Sequence, residues 1–351
     1  MILLEVCGLI AGGLLASVLV YLGIVVFTPL VAEASQPLPE VGGEVPRGTP
    51  APGVRRDVHF GPPGQDLAGW LYVPPKAEGR VACVVMNNGC GGTKEVALQP
   101  FALRFVEEGL AVLTYDYLHF GDSAGQPRQH LSLNQQVEDC RRAIAYVRSL
   151  PEIDPGRVAI WSTSSAGGYG IVVAADDEDI RCLVSQCPSL DHGADGKQAF
   201  AREGLGWMLR LIVHAQRDKG RSRFGLPPHH LSIVGPPGST ALLTAPGALE
   251  GYARLAGPGF ANKVCGRVML TPHGVTPDQV IERVRCPVLF QFCDQDSLVC
   301  TDAAVAQAQR MGSLATIERY PIGHFAIYEG EHFERAVAGQ VDFLLRHLAA
   351  G

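Results

Sequence analysis

Five short apolar runs rich in β-branched residues recur along the chain, at 80–87, 110–115, 157–161, 180–185 and 287–292, with amphipathic stretches such as 134–150 and 301–311 between them. Runs that are continuously apolar, rather than alternating, belong to strands buried on both faces. Strand–helix–strand spacing makes those strands parallel, so the fold class is α/β, a mostly parallel central sheet covered by helices. Residues 57–73, with a Gly/Pro turn at 61–64, read as an antiparallel hairpin at the sheet edge. The rhythm breaks only at 189–285, which is rich in Gly and Pro and shows no clear strand. An insertion of that length between two strands of one sheet predicts a lid over a site.

The remainder of the chain is organised around its N-terminus. Residues 6–32 carry no charge and show no polar face, which predicts a transmembrane anchor over residues 1–34. Ala32-Glu33-Ala34 also has the form of a signal-peptidase site, but the run exceeds an ordinary h-region and lacks a basic start, so a retained anchor is the expectation. The first basic residues, Arg47, Arg55 and Arg56, follow the span and lean slightly toward a cytoplasmic catalytic domain. Residues 35–53, rich in Pro and Gly, read as a semi-rigid spacer that folds against neither neighbour, and 54–351 as one domain. With 18% charged residues and a net charge of −6, no basic patch in the sequence points to nucleic acid or to anionic lipid. The ten cysteines form no C-x-x-C pair and no zinc-type set, so they read as small buried hydrophobes in a reducing compartment, with no metal expected.

Four segments carry candidate chemistry. Ser162-Thr163-Ser164-Ser165-Ala166 follows the strand at 157–161 and precedes a helix, which puts Ser164 at the apex of a tight turn with small neighbours on each side. The glycines of G-x-S-x-G are replaced by Ser162 and Ala166. Cys293-Asp294-Gln295-Asp296 follows the first strand after the insertion, and either aspartate could orient a histidine; Asp294 reads as a turn or helix cap and Asp296 as the acid. His324, on the Gly323-flanked loop after a short strand at 315–320 and before a final helix at 333–348, is placed for general-base work. Asn88-Gly89-Cys90-Gly91-Gly92 follows the first parallel strand, where its backbone N–H groups can approach an oxyanion. The loop fits neither the P-loop nor the G-x-G-x-x-G pattern. Cys90 as nucleophile would lack a base beside it, and the turn at 116–123 reads as a structural turn lining the pocket.

Taken in order, these residues resemble the α/β-hydrolase superfamily, and residues 54–348 resemble bacterial serine esterase-type members of it. The resemblance implies an α/β-hydrolase fold with Ser164 as nucleophile, His324 as base, Asp296 as acid, and the amides of Cys90 and Ser165 as oxyanion hole. It implies hydrolysis of a carboxylic ester or thioester through an acyl-enzyme, with no cofactor, on a small-molecule acyl substrate, lipophilic ones included. Peptidase and acyltransferase chemistry share this fold. The rival class is a non-catalytic, membrane-anchored binding protein of the same fold, whose support is the altered turn around Ser164.

Overall fold

A computed structural model describes residues 2–28, 32–40, 48–75, 79–272 and 274–349. Arg47 and the 41–47 part of the spacer lie outside the described residues. After an N-terminal helix, α1 (Ile2–Val20), which continues as a π-helical stretch Tyr21–Phe27, the elements are β1 (Arg55–Phe60), β2 (Leu67–Tyr72), β3 (Val81–Asn87), α2 (Leu98–Glu107), β4 (Ala111–Tyr115), α3 (Leu133–Ser149), β5 (Ile153–Thr163), α4 (Ser165–Asp176) and β6 (Ile180–Gln186). An inserted segment then carries α5 (His192–Arg223), β7 (His230–Val234), β8 (Ala241–Leu243), α6 (Ala248–Leu255), β9 (Val264–Cys265) and α7 (Pro277–Val280). The chain returns through β10 (Val288–Cys293), α8 (Thr301–Gln309), β11 (Ala315–Tyr320) and α9 (Gly330–Leu348).

Eight strands form one sheet in the order β1-β2-β4-β3-β5-β6-β10-β11. β1 and β2 are antiparallel at one edge and every pairing from β4 to β11 is parallel. This is the α/β-hydrolase architecture. The inner strands β3, β4 and β10 are buried along nearly their whole length because they are covered twice, one core lying under α3 and α4 and the other under α2 and α9, whereas the edge strands β1 and β11 keep polar, exposed residues. A buried amide network fixes α9 on the sheet. Gln340 Nε2 donates to Gln186 Oε1 at 2.9 Å and to Gln291 Oε1 at 2.7 Å, while Trp161 Nε1 donates to Gln340 Oε1. A wholly satisfied polar cluster of this kind specifies one docking register. The cysteines are free and, apart from Cys7, Cys90 and Cys300, buried.

Two expectations are corrected. The inserted segment has its own sheet, β8-β7-β9, which escaped detection because its strands run for only two to five residues. The residues after the N-terminal helix also do pack. Ala34 bridges Leu231 of β7, Gln36 N donates to Ser232 Oγ at 2.9 Å, and Gln99 Nε2 donates to Gly48 O at 2.9 Å. Backbone groups of a Pro-rich stretch that find partners on β7, the buried central strand of the small sheet, make the stretch part of that sheet rather than a free tether.

Candidate active site

β5 ends at Thr163 and α4 begins at Ser165, so Ser164 is the turn between them, with φ 58° and ψ −128°. A non-glycine residue in such a conformation costs on the order of 1–3 kcal/mol and persists only where neighbours over-determine it. Here Ser164 N donates to Gln186 O at 2.9 Å, and Ser164 O accepts from Gly167 N and Ser189 N. Ser162 and Ala166 are fully buried. The close approach of helix to strand comes from Gly167, where an added Cβ would stand 2.6 Å from Pro188 Cβ. Gly168 and Gly170 are equally tight, an added Cβ running into Ser189 O at the first and standing 2.7 Å from Leu183 Cδ1 at the second, so glycine is needed downstream of the serine while the small side chains of Ser162 and Ala166 fit on either side of it. Ser162 is occupied elsewhere, its Oγ accepting from Asn87 Nδ2 at 2.9 Å inside the core.

Ser164 and His324 line one narrow cavity of about 30 Å³, with Gly89, Tyr252 and Tyr328 among its other walls. His324 is buried, and its Nδ1 meets Asp296 Oδ2 at 2.5 Å. Asp296 Oδ1 accepts from the backbone N–H groups of Leu298 and Val299 at 2.8 and 2.9 Å, so the carboxylate is held on both oxygens. Burial alone would lower the imidazole pKa, but the Asp296 carboxylate and the nearby Cys187 sulfur outweigh it and raise it to about 9. Asp294 does not cap a helix. Its Oδ1 accepts from Arg319 Nε at 2.7 Å in a solvent-exposed ion pair.

The loop after β3 comes so near the turn that a Cβ on Gly89 would be 2.9 Å from Ser164 Cβ and 3.3 Å from its Oγ. Asn88 shapes it, with Nδ2 donating to Thr93 O and Val96 O. The N–H groups of Cys90 and Ser165 thus belong to two segments that flank Ser164. Cys90 is only partly accessible, and desolvation by the surrounding protein pushes its thiol up to about 12, which removes its nucleophilic form at neutral pH. The turn at 116–123 is corrected as well: it lies behind the loop instead of lining the cavity. Asp116, fully buried, accepts from Lys94 N at 2.7 Å and Lys94 Nζ at 2.6 Å, and Lys94 Nζ also reaches Asp122 Oδ2 at 2.6 Å.

Three further contributors carry no motif. Tyr252, from α6 of the insertion, lines the cavity and donates to Cys90 O at 2.9 Å. Asp195, in the first turn of α5, accepts from Cys300 N at 2.7 Å and from Ser189 Oγ, tying the insertion to the loop that bears Asp296. Cys187 Sγ lies 3.6 Å from Thr163 Oγ1 and 3.9 Å from the Tyr328 hydroxyl. Each reaches the site through tertiary packing from a distant part of the chain. Among the described residues, no group of three or more His, Cys, Asp or Glu side chains is placed to hold a metal ion.

With this geometry in hand, similarity to known proteins is informative. A family model described as X-Pro dipeptidyl-peptidase (S15 family) matches residues 63–225. The quorum-quenching protein AidA of Acinetobacter baumannii is 40% identical over 292 residues, covering 83% of this chain and 94% of that protein. Thiohydrolase apmlB of Arthrinium phaeospermum is 26% identical over 302 residues, covering 82% of this chain and 94% of its own. Among solved structures, the α/β hydrolase GrgF from Penicillium sp. superposes with a TM-score of 0.70 at 22% identity, over 84% of this chain and 99% of that one.

Proposed function

From the premise that this chain belongs to the α/β-hydrolase superfamily, in one family with the quorum-quenching protein AidA, we propose that it is a serine hydrolase that cleaves a carboxylic ester or thioester through an acyl-enzyme. The observation that carries this reading is the strained Ser164 sharing one cavity with His324, whose Nδ1 is held by Asp296 at 2.5 Å. His324 Nε2 takes the proton as Ser164 Oγ attacks the acyl carbonyl, and returns it to the departing alcohol or thiol. Asp296 fixes the imidazole tautomer and stabilises the imidazolium formed in that step. The N–H groups of Cys90 and Ser165 receive the oxyanion, and water then releases the acid by the same route in reverse. Thioesters enter because relatives such as apmlB are named thiohydrolases, and a quorum-quenching role like that named for AidA belongs in the same substrate panel.

The same reading treats Val6–Phe27 as a retained membrane anchor. That stretch has a mean hydropathy of 2.5 and is only 6% buried, and the burial of Val26 against α5 favours its retention over cleavage. The test of the chemistry is labelling with a fluorophosphonate probe followed by peptide mapping. The adduct is expected on Ser164, and Ser164→Ala should lose both label and ester turnover while keeping its fold, since one small hydroxyl is removed. Label or turnover that survives in Ser164→Ala and disappears in Ser162→Ala or Cys90→Ala would overturn the assignment.

A further inference from the structure

Helix α5 is apolar on two opposite faces. Its inner face carries Trp207, Leu211 and Ala215, all buried against the rest of the insertion. Leu205, Leu209, Ile212 and Val213 point the other way, and they are 61%, 51%, 38% and 42% exposed. A surface helix normally turns a polar face outward, so this stripe requires a second apolar neighbour.

The structure indicates what that neighbour is. At 3.6 residues per turn, Leu205, Leu209 and Val213 fall in line with Gln216, Gly220 and Phe224 further along the same face. That continuation grips the end of the N-terminal segment. The Tyr21 hydroxyl donates to Gln216 O at 3.2 Å, Arg217 Nη1 donates to Val25 O at 3.0 Å, and the rings of Phe27 and Phe224 are 5.4 Å apart. Gly220 is needed there, because a Cβ would stand 2.5 Å from Val26 Cγ2. The exposed stripe is therefore continuous with the surface from which the apolar helix α1 departs. Charge agrees. Between 210 and 223 the helix turns Arg210, Lys219, Arg221 and Arg223 outward, while Arg217 is buried on the Val25 carbonyl and Asp218 is buried in a pair with Arg267, a local excess of cations in a chain of net charge −6. An apolar stripe edged by cations is the pattern of a helix lying in the headgroup region of an anionic bilayer.

We propose that the outer face of α5 is a second membrane contact, seating the insertion on the bilayer surface beside the anchor. The inference rests on the anchor reading above. It is tested by placing p-benzoylphenylalanine singly at Leu209, Leu14 or the exposed Glu331 of the full-length protein in phosphatidylcholine–phosphatidylglycerol vesicles, then irradiating and measuring phospholipid adducts by mass spectrometry. The expected result is a lipid adduct at 14 and 209 but not at 331, with the yield at 209 falling when phosphatidylglycerol is omitted. Lipid adducts at 14 but none at 209 would overturn the proposal and leave the anchor standing, and a protein–protein adduct at 209 would assign the face to a second copy of the chain. A lipid adduct at 209 without one at 14 would keep the surface contact and overturn the anchor. Adducts at neither position would overturn both.

Discussion

In the proposed mechanism His324 must be neutral before it can accept a proton from Ser164, and its surroundings oppose that. The Asp296 carboxylate, with Cys187, raises the imidazole pKa to about 9 in spite of burial. The working form is thus gained as pH rises, so kcat/KM should climb through neutral pH and reach half its limit near 9 instead of near 6.5. A profile measured on a short-chain ester, corrected for spontaneous hydrolysis, checks this; an inflection near 6.5 would mean that the carboxylate does not hold the charge. Asp296→Asn should lower kcat by a factor on the order of 10⁴, as loss of the carboxylate misorients the ring. Asp294→Asn should leave kcat nearly unchanged, because Asp294 faces Arg319. Equal losses in the two variants would reassign the acid. Ser164 was legible in the sequence because a turn of this kind needs small neighbours, and Ser162 and Ala166 are small even though they are not glycine. Tyr252 and Asp195 were not legible, since nothing local distinguishes them and only the packing of the insertion brings Tyr252 to the cavity and Asp195 to the loop of Asp296.

Among the elements, the parallel strands read clearly because burial on both faces leaves long apolar runs, and the edge hairpin read clearly from its Gly/Pro turn. β7, β8 and β9 did not, because a strand of two to five residues in a small sheet has no period to detect. The loop after β3 shows how elements cooperate at the site. It is tied to the turn after β4 by Lys94, whose side chain is 5% exposed and pairs with the fully buried Asp116. Removing one member of a buried pair leaves the other charge uncompensated, typically at about 3–5 kcal/mol. Lys94→Met should therefore lower unfolding free energy by about that amount in urea titrations. It should also reduce kcat, because the loop that carries the Cys90 amide loses its tether. A variant as stable as the parent would show that the backbone N–H groups of residues 94 and 122 already satisfy Asp116, and that Asn88 and Tyr252 hold the loop without the lysine.

At the scale of the whole molecule, the N-terminal segment, the insertion and the catalytic sheet are joined in series. Val26 is fully buried against α5, and Ala34 and Gln36 extend the insertion's sheet through Leu231 and Ser232. At its other end, α5 bends at Gly204, whose φ of 74° and ψ of −179° suit glycine alone, and its first turn holds the loop of Asp296 through Asp195. Removing residues 1–49 would thus take from the insertion, among the described residues, the buried Val26 side chain and the Ala34–Leu231 bridge, while leaving every strand of the main sheet in place. A chain beginning at Ala32 keeps the bridge and loses only the apolar helix and Val26. The two truncations should differ. The longer chain should stay soluble, monomeric and active on short-chain esters, whereas the chain beginning at Pro50 should show faster amide hydrogen exchange across β7 and a lower kcat, with unchanged exchange in β3 and β5. Both should remain in the supernatant after alkaline carbonate treatment of membranes that retain the full-length protein. Identical exchange across β7 in the two truncations would show that the stretch 32–49 lies on the insertion without supporting it, and that the catalytic domain is independent of everything before Pro50.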